Sequence, residues 1–247
     1  AKVEETVTLS HTAANGFTFV KWVKGSAWTD ATVEGGKYTL TTADGDAGKV
    51  TFSAAYELTT TVYAVTDGTL GNAGGNVQVK TDATAAATST AKWQYTSATE
   101  KNTVIATASA GYSFGGWYTT SALTGEAVST NASYEYAFGT NGNHVYYAKF
   151  TANVYTITYK DGTAVLTDSS LVPNTYKITD TSIKLPTYAK TGYTFGGWEM
   201  VGWTGSEHGA TLPTISSGSL TINKAYGDIT VKATWTTNSY TIEYVLD

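Results

Sequence analysis

Gly192-Tyr193-Thr194-Phe195-Gly196-Gly197-Trp198 is the stretch whose reading decides the fold, because it recurs. One further copy is Gly111-Tyr112-Ser113-Phe114-Gly115-Gly116-Trp117, and another is Gly16-Phe17-Thr18-Phe19-Val20-Lys21-Trp22. Downstream of each, an alanine stands two residues before an aromatic: Ala54 and Tyr56, Ala148 and Phe150, Ala233 and Trp235. Two markers in fixed order at near-fixed spacing identify a repeat protein.

The motif has a physical reading residue by residue. Its opening glycine supplies a turn conformation that residues with a Cβ avoid. Tyr193 and Phe195 are two apart and share a strand face, whereas Trp198 falls on the opposite face under strict alternation. A β-bulge at Gly196-Gly197 would return the indole to the face of Phe195. In the first copy Val20-Lys21 stands in place of the glycines, which argues against a glycine-type bulge there. Each buried Trp or Phe is worth roughly 1.5–3 kcal/mol or more. Modules of roughly eighty residues need anchors of that size against chain entropy.

Bulk composition narrows the function classes. The 247 residues carry a net charge of −5, only 14 % charged side chains and 13 % aromatics, with 18 Tyr and 7 Trp. Aromatic and β-branched residues suit a pleated surface, so strands are expected to dominate. A mildly acidic chain without a basic run offers nothing to nucleic acid. Cysteine is absent, which excludes disulfides and thiolate metal sites. No apolar run reaches the ~18–20 residues of a membrane span. The chain opens on Ala1 rather than Met, which reads as a processed product or an excised piece. Leu185-Pro186-Thr187 and Leu212-Pro213-Thr214 lack the following glycine and hydrophobic tail of a wall-sorting signal and are read as ordinary sequence.

Taken in order, residues 1–57 form a partial repeat lacking its first strand, and 58–151 a divergent repeat with a long insert. Residues 152–236 form a third repeat, and 237–247 the first strand of a further one. Val50, Phe52, Ala54 and Tyr56 alternate with Thr51, Ser53 and Ala55, the period of a strand. His144, Tyr146, Ala148 and Phe150 share one face of the second closing strand. Tyr240-Thr241-Ile242-Glu243-Tyr244 repeats the pattern of Tyr155-Thr156-Ile157-Thr158-Tyr159, so both ends of the sequence fall mid-repeat.

The third unit resembles the Listeria–Bacteroides repeat, also called the internalin B-repeat. The resemblance runs from Tyr155-Thr156-Ile157-Thr158-Tyr159 through Leu185-Pro186 and the Gly192–Trp198 motif to Ile229-Thr230-Val231-Lys232-Ala233-Thr234-Trp235. The first two units resemble divergent forms, departing at the 71–101 insert and at residues 20–21. The resemblance implies a mainly β chain of tandem small β-grasp-like modules, each with at most one short helix, the best candidate lying around Asp168 to Tyr176. It also implies a microbial cell-surface, extracellular setting, attached through regions not in this sequence. The family brings no catalytic residues.

Other site chemistry is sparse. His11, His144 and His208 share no local spacing, so a histidine metal site is not expected. Asp44-Gly45-Asp46 starts like a calcium loop but lacks the later acidic ligands and reads as a polar turn. Neither paired carboxylates nor a Ser-His-acid set stands out, so no enzyme, cofactor or metal is expected.

Phe19, Trp22, Tyr56, Phe114, Trp117, Phe150, Phe195, Trp198 and Trp235 occupy repeat positions and are the expected core. Trp28, Trp93 and Trp203 have no counterparts in the other copies. They either cap their own small modules or stack on glycans and protein partners. The leading reading is a non-catalytic stalk or spacer region with adhesive contacts, whose partners are neighbouring repeats of the same or an adjacent chain. Tyr240, Ile242 and Tyr244 would serve head-to-tail strand complementation. The alternative is a glycan- or protein-binding module using the non-repeat tryptophans.

Overall fold

The computed structural model describes residues 3–44, 49–80, 85–95, 99–140, 142–205, 212–222 and 224–245. Strands dominate these residues, and Thr42–Asp44 forms a 3-10 turn. Two compact units result, Ala1–Thr107 with Phe114–Lys149, and Ala108–Ser113 with Phe150–Asp247.

Unit 1 holds the first motif copy and Phe114–Trp117 of the second. Its strands are β1 (Thr6–Thr8), β2 (Thr18–Lys24), β3 (Thr29–Asp30), β4 (Lys37–Thr39), β5 (Phe52–Thr66), β6 (Thr69–Leu70), β7 (Gly75–Val79) and β8 (Thr88–Tyr95). They are followed by β9 (Lys101–Ala108), β10 (Tyr112–Tyr118), β11 (Ser133–Ala137) and β12 (His144–Ala152), which reach the boundary between the units. Unit 2 continues with β13 (Val154–Asp161), β14 (Ala164–Val165), β15 (Thr175–Lys177), β16 (Ser182–Lys184), β17 (Tyr193–Trp203), β18 (Thr214–Ser216), β19 (Ser219–Thr221) and β20 (Ile229–Thr237).

One pairing scheme serves every copy. A short strand before the motif pairs with a short strand after it: β1 with β4, β9 with β11, β16 with β19. The motif strand pairs with the closing strand: β2 with β5, β10 with β12, β17 with β20. In the second and third copies the closing strand also takes the opening strand of its own repeat, giving the orders β10-β12-β5 and β13-β20-β17. In the third, β13 runs parallel to β20, from Ile157 opposite Ile229 to Lys160 opposite Lys232.

Three expectations are revised. The division expected between residues 57 and 58 falls inside β5, a single 15-residue strand that closes the first repeat and opens the second. Its N-terminal half pairs with β2 and its C-terminal half with β6, so the two repeats share one sheet. No helix forms around Asp168 to Tyr176. Pro173, cis to Val172, cannot donate a helical hydrogen bond. The segment instead makes a turn on Asp168, whose Oδ1 accepts from the Ser170 amide at 2.8 Å, and then enters β15. Finally, β20 stops at Thr237, and residues 238–245 belong to no strand.

The third repeat has its own core. Ile157, Tyr159, Leu171, Tyr176, Leu185, Trp198, Leu220, Ile222, Ile229 and Val231 are buried together, flanked by half-buried Phe195, Trp203 and Trp235. In unit 1 the buried side chains include Val23, Leu58, Val62, Trp117, Phe138 and Tyr146. Between its strands lies a polar set, Thr60, Ser89 and Asn102. The Asn102 amide donates to the Tyr136 hydroxyl at 3.2 Å, and that hydroxyl also meets the Thr60 hydroxyl. Most buried polar groups are paired in this way.

Candidate functional site

The repeated element is built alike in each copy. Gly16, Gly111 and Gly192 have φ of 81°, 81° and 80°. The residue after each glycine donates its amide to the carbonyl three positions back: Phe17 to Ala14, Tyr112 to Ser109, Tyr193 to Lys190. A turn closed this way with positive φ at its third position is the type II arrangement, which demands glycine there.

The bulge follows. In β17 Phe195 is opposite Trp235 and Gly197 is opposite Thr234, leaving Gly196 as the extra residue. In β2 Phe19 is opposite Tyr56 and Lys21 opposite Ala55, leaving Val20 extra. The first copy therefore bulges at the same place without glycine, and not in the glycine form that its sequence argued against. Gly116 and Gly197 take φ of 122° and 113°, whereas Lys21 is not among the residues with positive φ. The register shift needs an additional residue, and only one of its backbone variants needs glycine.

The outcome is a Phe–Trp edge-to-face pair in every copy. Ring centroids lie 5.7 Å apart for Phe19–Trp22, 5.7 Å for Phe114–Trp117 and 5.3 Å for Phe195–Trp198. Trp117, Phe150 and Trp198 are buried, while Phe19, Trp22, Tyr56, Phe114, Phe195 and Trp235 are half-buried. In the third copy the indole N–H of Trp198 donates to Pro186 O at 2.6 Å and that of Trp235 to Asp161 Oδ1 at 2.9 Å. The first copy is the most open: exposed His11 stacks on Phe19 at 3.9 Å and meets Trp22 and Tyr56 edge-on.

Sequence reading passed over an asparagine clasp. The Asn153 amide donates to Gly111 O at 2.9 Å, and its Oδ1 accepts from the Ser113 hydroxyl at 2.6 Å. Asn238 does the same, its amide to Gly192 O at 3.0 Å and its Oδ1 from Thr194 at 2.6 Å. The signal was available: each asparagine stands three residues after the closing aromatic, opposite a motif Ser or Thr.

The non-repeat tryptophans separate. Trp203 is half-buried and donates to Tyr226 O at 3.0 Å. Trp93 is half-buried against Phe138, and its buried indole N–H has no partner among the described residues. Trp28 is 39 % exposed on the turn between β2 and β3, with φ of 53°. Of the three, only Trp28 is exposed.

Polar clusters serve the fold. The Asp44 carboxylate accepts from Lys24 Nζ, the Tyr38 hydroxyl, and the Thr41 amide and hydroxyl, all within 2.9 Å. The hydrogen bond from Lys24 leads in holding its acidity well beyond that of an ordinary carboxylate. Gly45, Asp46, Glu207 and His208 lie outside the described residues. His144 sits half-buried among Tyr136, Phe138 and Tyr146, with Nε2 2.9 Å from Phe138 O, and burial pushes its pKa down. Among the described residues no group of His, Asp and Glu is arranged to hold a metal ion.

Two stretches, 72–149 and 155–234, match the model of the Listeria-Bacteroides repeat domain. The chain belongs to the Listeria-Bacteroides repeat family. No curated protein matches it. Both matches contain a Gly-led aromatic motif and end on its closing strand, so the geometry above belongs to the repeat itself. Listeria-Bacteroides repeats occur in bacterial surface proteins and are generally non-catalytic. No helix of the described residues is long and apolar enough to cross a membrane.

Proposed function

We propose that this chain is a non-catalytic stalk or spacer region of a cell-surface protein, outside the cell, that also makes adhesive contacts with its neighbours. The carrying observation is how repeats join. Closing strand and opening strand are one strand in β5, and between β12 and β13 only Asn153 intervenes. Junctions this short leave little slack between repeats, and the first two draw on one shared sheet. Repeats in such an array are extended by strand addition, with Tyr240, Ile242 and Tyr244 as the complementing side chains.

Two measurements test this. Protease shaving of intact cells that carry the parent protein should release peptides of this chain. Pulling the chain end to end should give successive discrete unfolding events, one compact unit at a time. A featureless extension curve, or peptides recovered only after lysis, would remove the spacer reading.

A second reading rests on Trp28. An exposed indole on a tight turn is suited to stack on a sugar ring or fill a partner's pocket. Titrating surface glycans while following tryptophan fluorescence should give a change that Trp28→Ala abolishes, and an unchanged signal in the parent chain disposes of it.

A further inference from the structure

Tyr63 of β5 and Tyr147 of β12 stack face to face across neighbouring strands of unit 1, ring centroids 5.2 Å apart and planes inclined by only 16°. Alternation turns both rings away from the buried side chains that flank them, Val62 and Ala64 beside Tyr63, Tyr146 and Ala148 beside Tyr147. Both tyrosines are half-buried, and neither hydroxyl has a hydrogen bond among the described residues.

Tyrosines in the core of the same unit are arranged otherwise. Tyr136 and Tyr134 meet Tyr146 at 60° and 87°, and the Tyr136 hydroxyl is engaged by Asn102 and Thr60. Nor does the repeat require an aromatic at position 147. Three residues before its own closing aromatic the third repeat carries Lys232, whose Nζ reaches Glu199 Oε1 at 2.6 Å. The stack is therefore an addition of the second repeat, made where the third keeps an ion pair.

A phenol that loses one electron spreads its unpaired spin onto the ring carbons ortho to the oxygen, and two such radicals join carbon to carbon. Rings held nearly parallel in one molecule replace a diffusive encounter by an intramolecular one. We propose that Tyr63 and Tyr147 are a site of oxidative cross-linking, joined as dityrosine by hydrogen peroxide acting through a haem peroxidase. Each phenol gives up one electron and its hydroxyl proton. A bond forms between one Cε carbon of each ring, and the hydrogen on each of those carbons moves to the oxygen of its own ring, restoring two phenols. The peroxide takes up the two electrons and two protons and leaves as two waters. The product is one carbon–carbon bond between β5 and β12, in a chain lighter by two hydrogen atoms. A sequence without cysteine gains in this way a covalent tie across a sheet, closing residues 64–146 into a loop as a disulfide would. The cross-link goes beyond the spacer role and does not depend on it.

The test is oxidation of the dilute full chain by a haem peroxidase with hydrogen peroxide. A parallel sample uses photogenerated ruthenium trisbipyridine, small enough to reach a half-buried ring. The expected product is a monomer lighter by two hydrogens, with the blue emission of dityrosine. Its digest should join the peptide carrying Tyr63 to the peptide carrying Tyr147. Tyr63→Phe and Tyr147→Phe keep the ring and lose only the hydroxyl, so each should match the parent's circular dichroism and abolish the monomer's cross-link. Tyr56→Phe, in the same strand, should leave it intact. Dityrosine absent from the monomer under both oxidants overturns the proposal, as does a cross-link that survives Tyr63→Phe or one found only between molecules.

Discussion

Phe195 and Trp198 meet edge to face, ring centroids 5.3 Å apart and planes inclined at 69°, although alternation assigns them to opposite faces of β17. Gly196 resolves the conflict by standing unpaired between Phe195 and Gly197 in the ladder with β20. That single additional residue puts the indole in the third core, where Tyr159 packs edge-on at 4.8 Å and Pro186 accepts the indole N–H.

Deleting Gly196 should therefore damage the third repeat at least as much as removing the ring it positions. Trp198→Ala is expected to cost about 3–5 kcal/mol, the usual range for truncating a buried Trp. The deletion should match or exceed this because every residue before it in β17 also changes face. Urea denaturation of the two variants measures both, and a near-neutral deletion would show that the bulge does not set the register.

Adding a Cβ at the leading glycines should be costly in proportion to local crowding. Gly192→Ala forces alanine to φ near 80° in open space, a penalty of about 1–2 kcal/mol. Gly111→Ala carries the same strain and also brings its Cβ to 2.7 Å from Ile178 Cδ1. The second variant should lower the denaturation midpoint more than the first, and the reverse order would contradict the packing around Gly111.

The asparagine clasps should contribute about equally. Asn153→Ala and Asn238→Ala each remove the side-chain hydrogen bond to the motif hydroxyl, worth about 0.5–1.5 kcal/mol, and Asn153→Ala also removes a long one from Nδ2 to the Tyr155 hydroxyl at 3.4 Å. Their backbone bonds to Gly111 and Gly192 remain available. Hydrogen exchange should quicken at residues 153 and 238 in the respective variants, and unchanged rates would show that the side chain has no part in holding the junction.

Acid should weaken unit 1 in two steps of distinct origin. Burial lowers the pKa of His144 below its ordinary 6.5, so above that value the group has no effect on stability. As pH falls below 6.5 the unfolded chain takes up the proton first, and stability declines until pH passes the lower folded pKa. Asp44 is depressed in the folded state, chiefly by the Lys24 hydrogen bond. Its contribution is complete above the ordinary 3.8 and is lost as pH drops through and below that value. Thermal melts from pH 7.5 to 3 should show both slopes. His144→Phe should remove the upper one and Asp44→Asn the lower, and an upper slope intact in His144→Phe would place its origin elsewhere.

Much of the repeat is local chemistry and was legible. The turn at Gly16, Gly111 and Gly192 follows from one residue's tolerance of positive φ, and the need for an extra residue before each tryptophan follows from strand parity. The asparagine clasp was equally visible, but a polar residue after a closing aromatic has no meaning until its partner across the sheet is known. The helix expected around Asp168 to Tyr176 was carried by resemblance rather than by these residues, and Pro173 with the Asp168 turn gave the segment another use for its backbone.

By itself the sequence determined that this is a β-rich repeat chain, which motif begins each unit, and which aromatic closes it. Those are properties of side-chain size, backbone freedom and alternation along one strand. Tertiary structure decided that the first two copies share β5, that Val20 bulges where the other copies have glycine, and that Trp28 alone among the non-repeat tryptophans is exposed. It also decided that Ile242 and Tyr244 lie open while their counterparts Ile157 and Tyr159 are buried. A strand's sequence carries its alternation, but burial depends on whether a neighbouring edge with free hydrogen-bonding groups stands beside it.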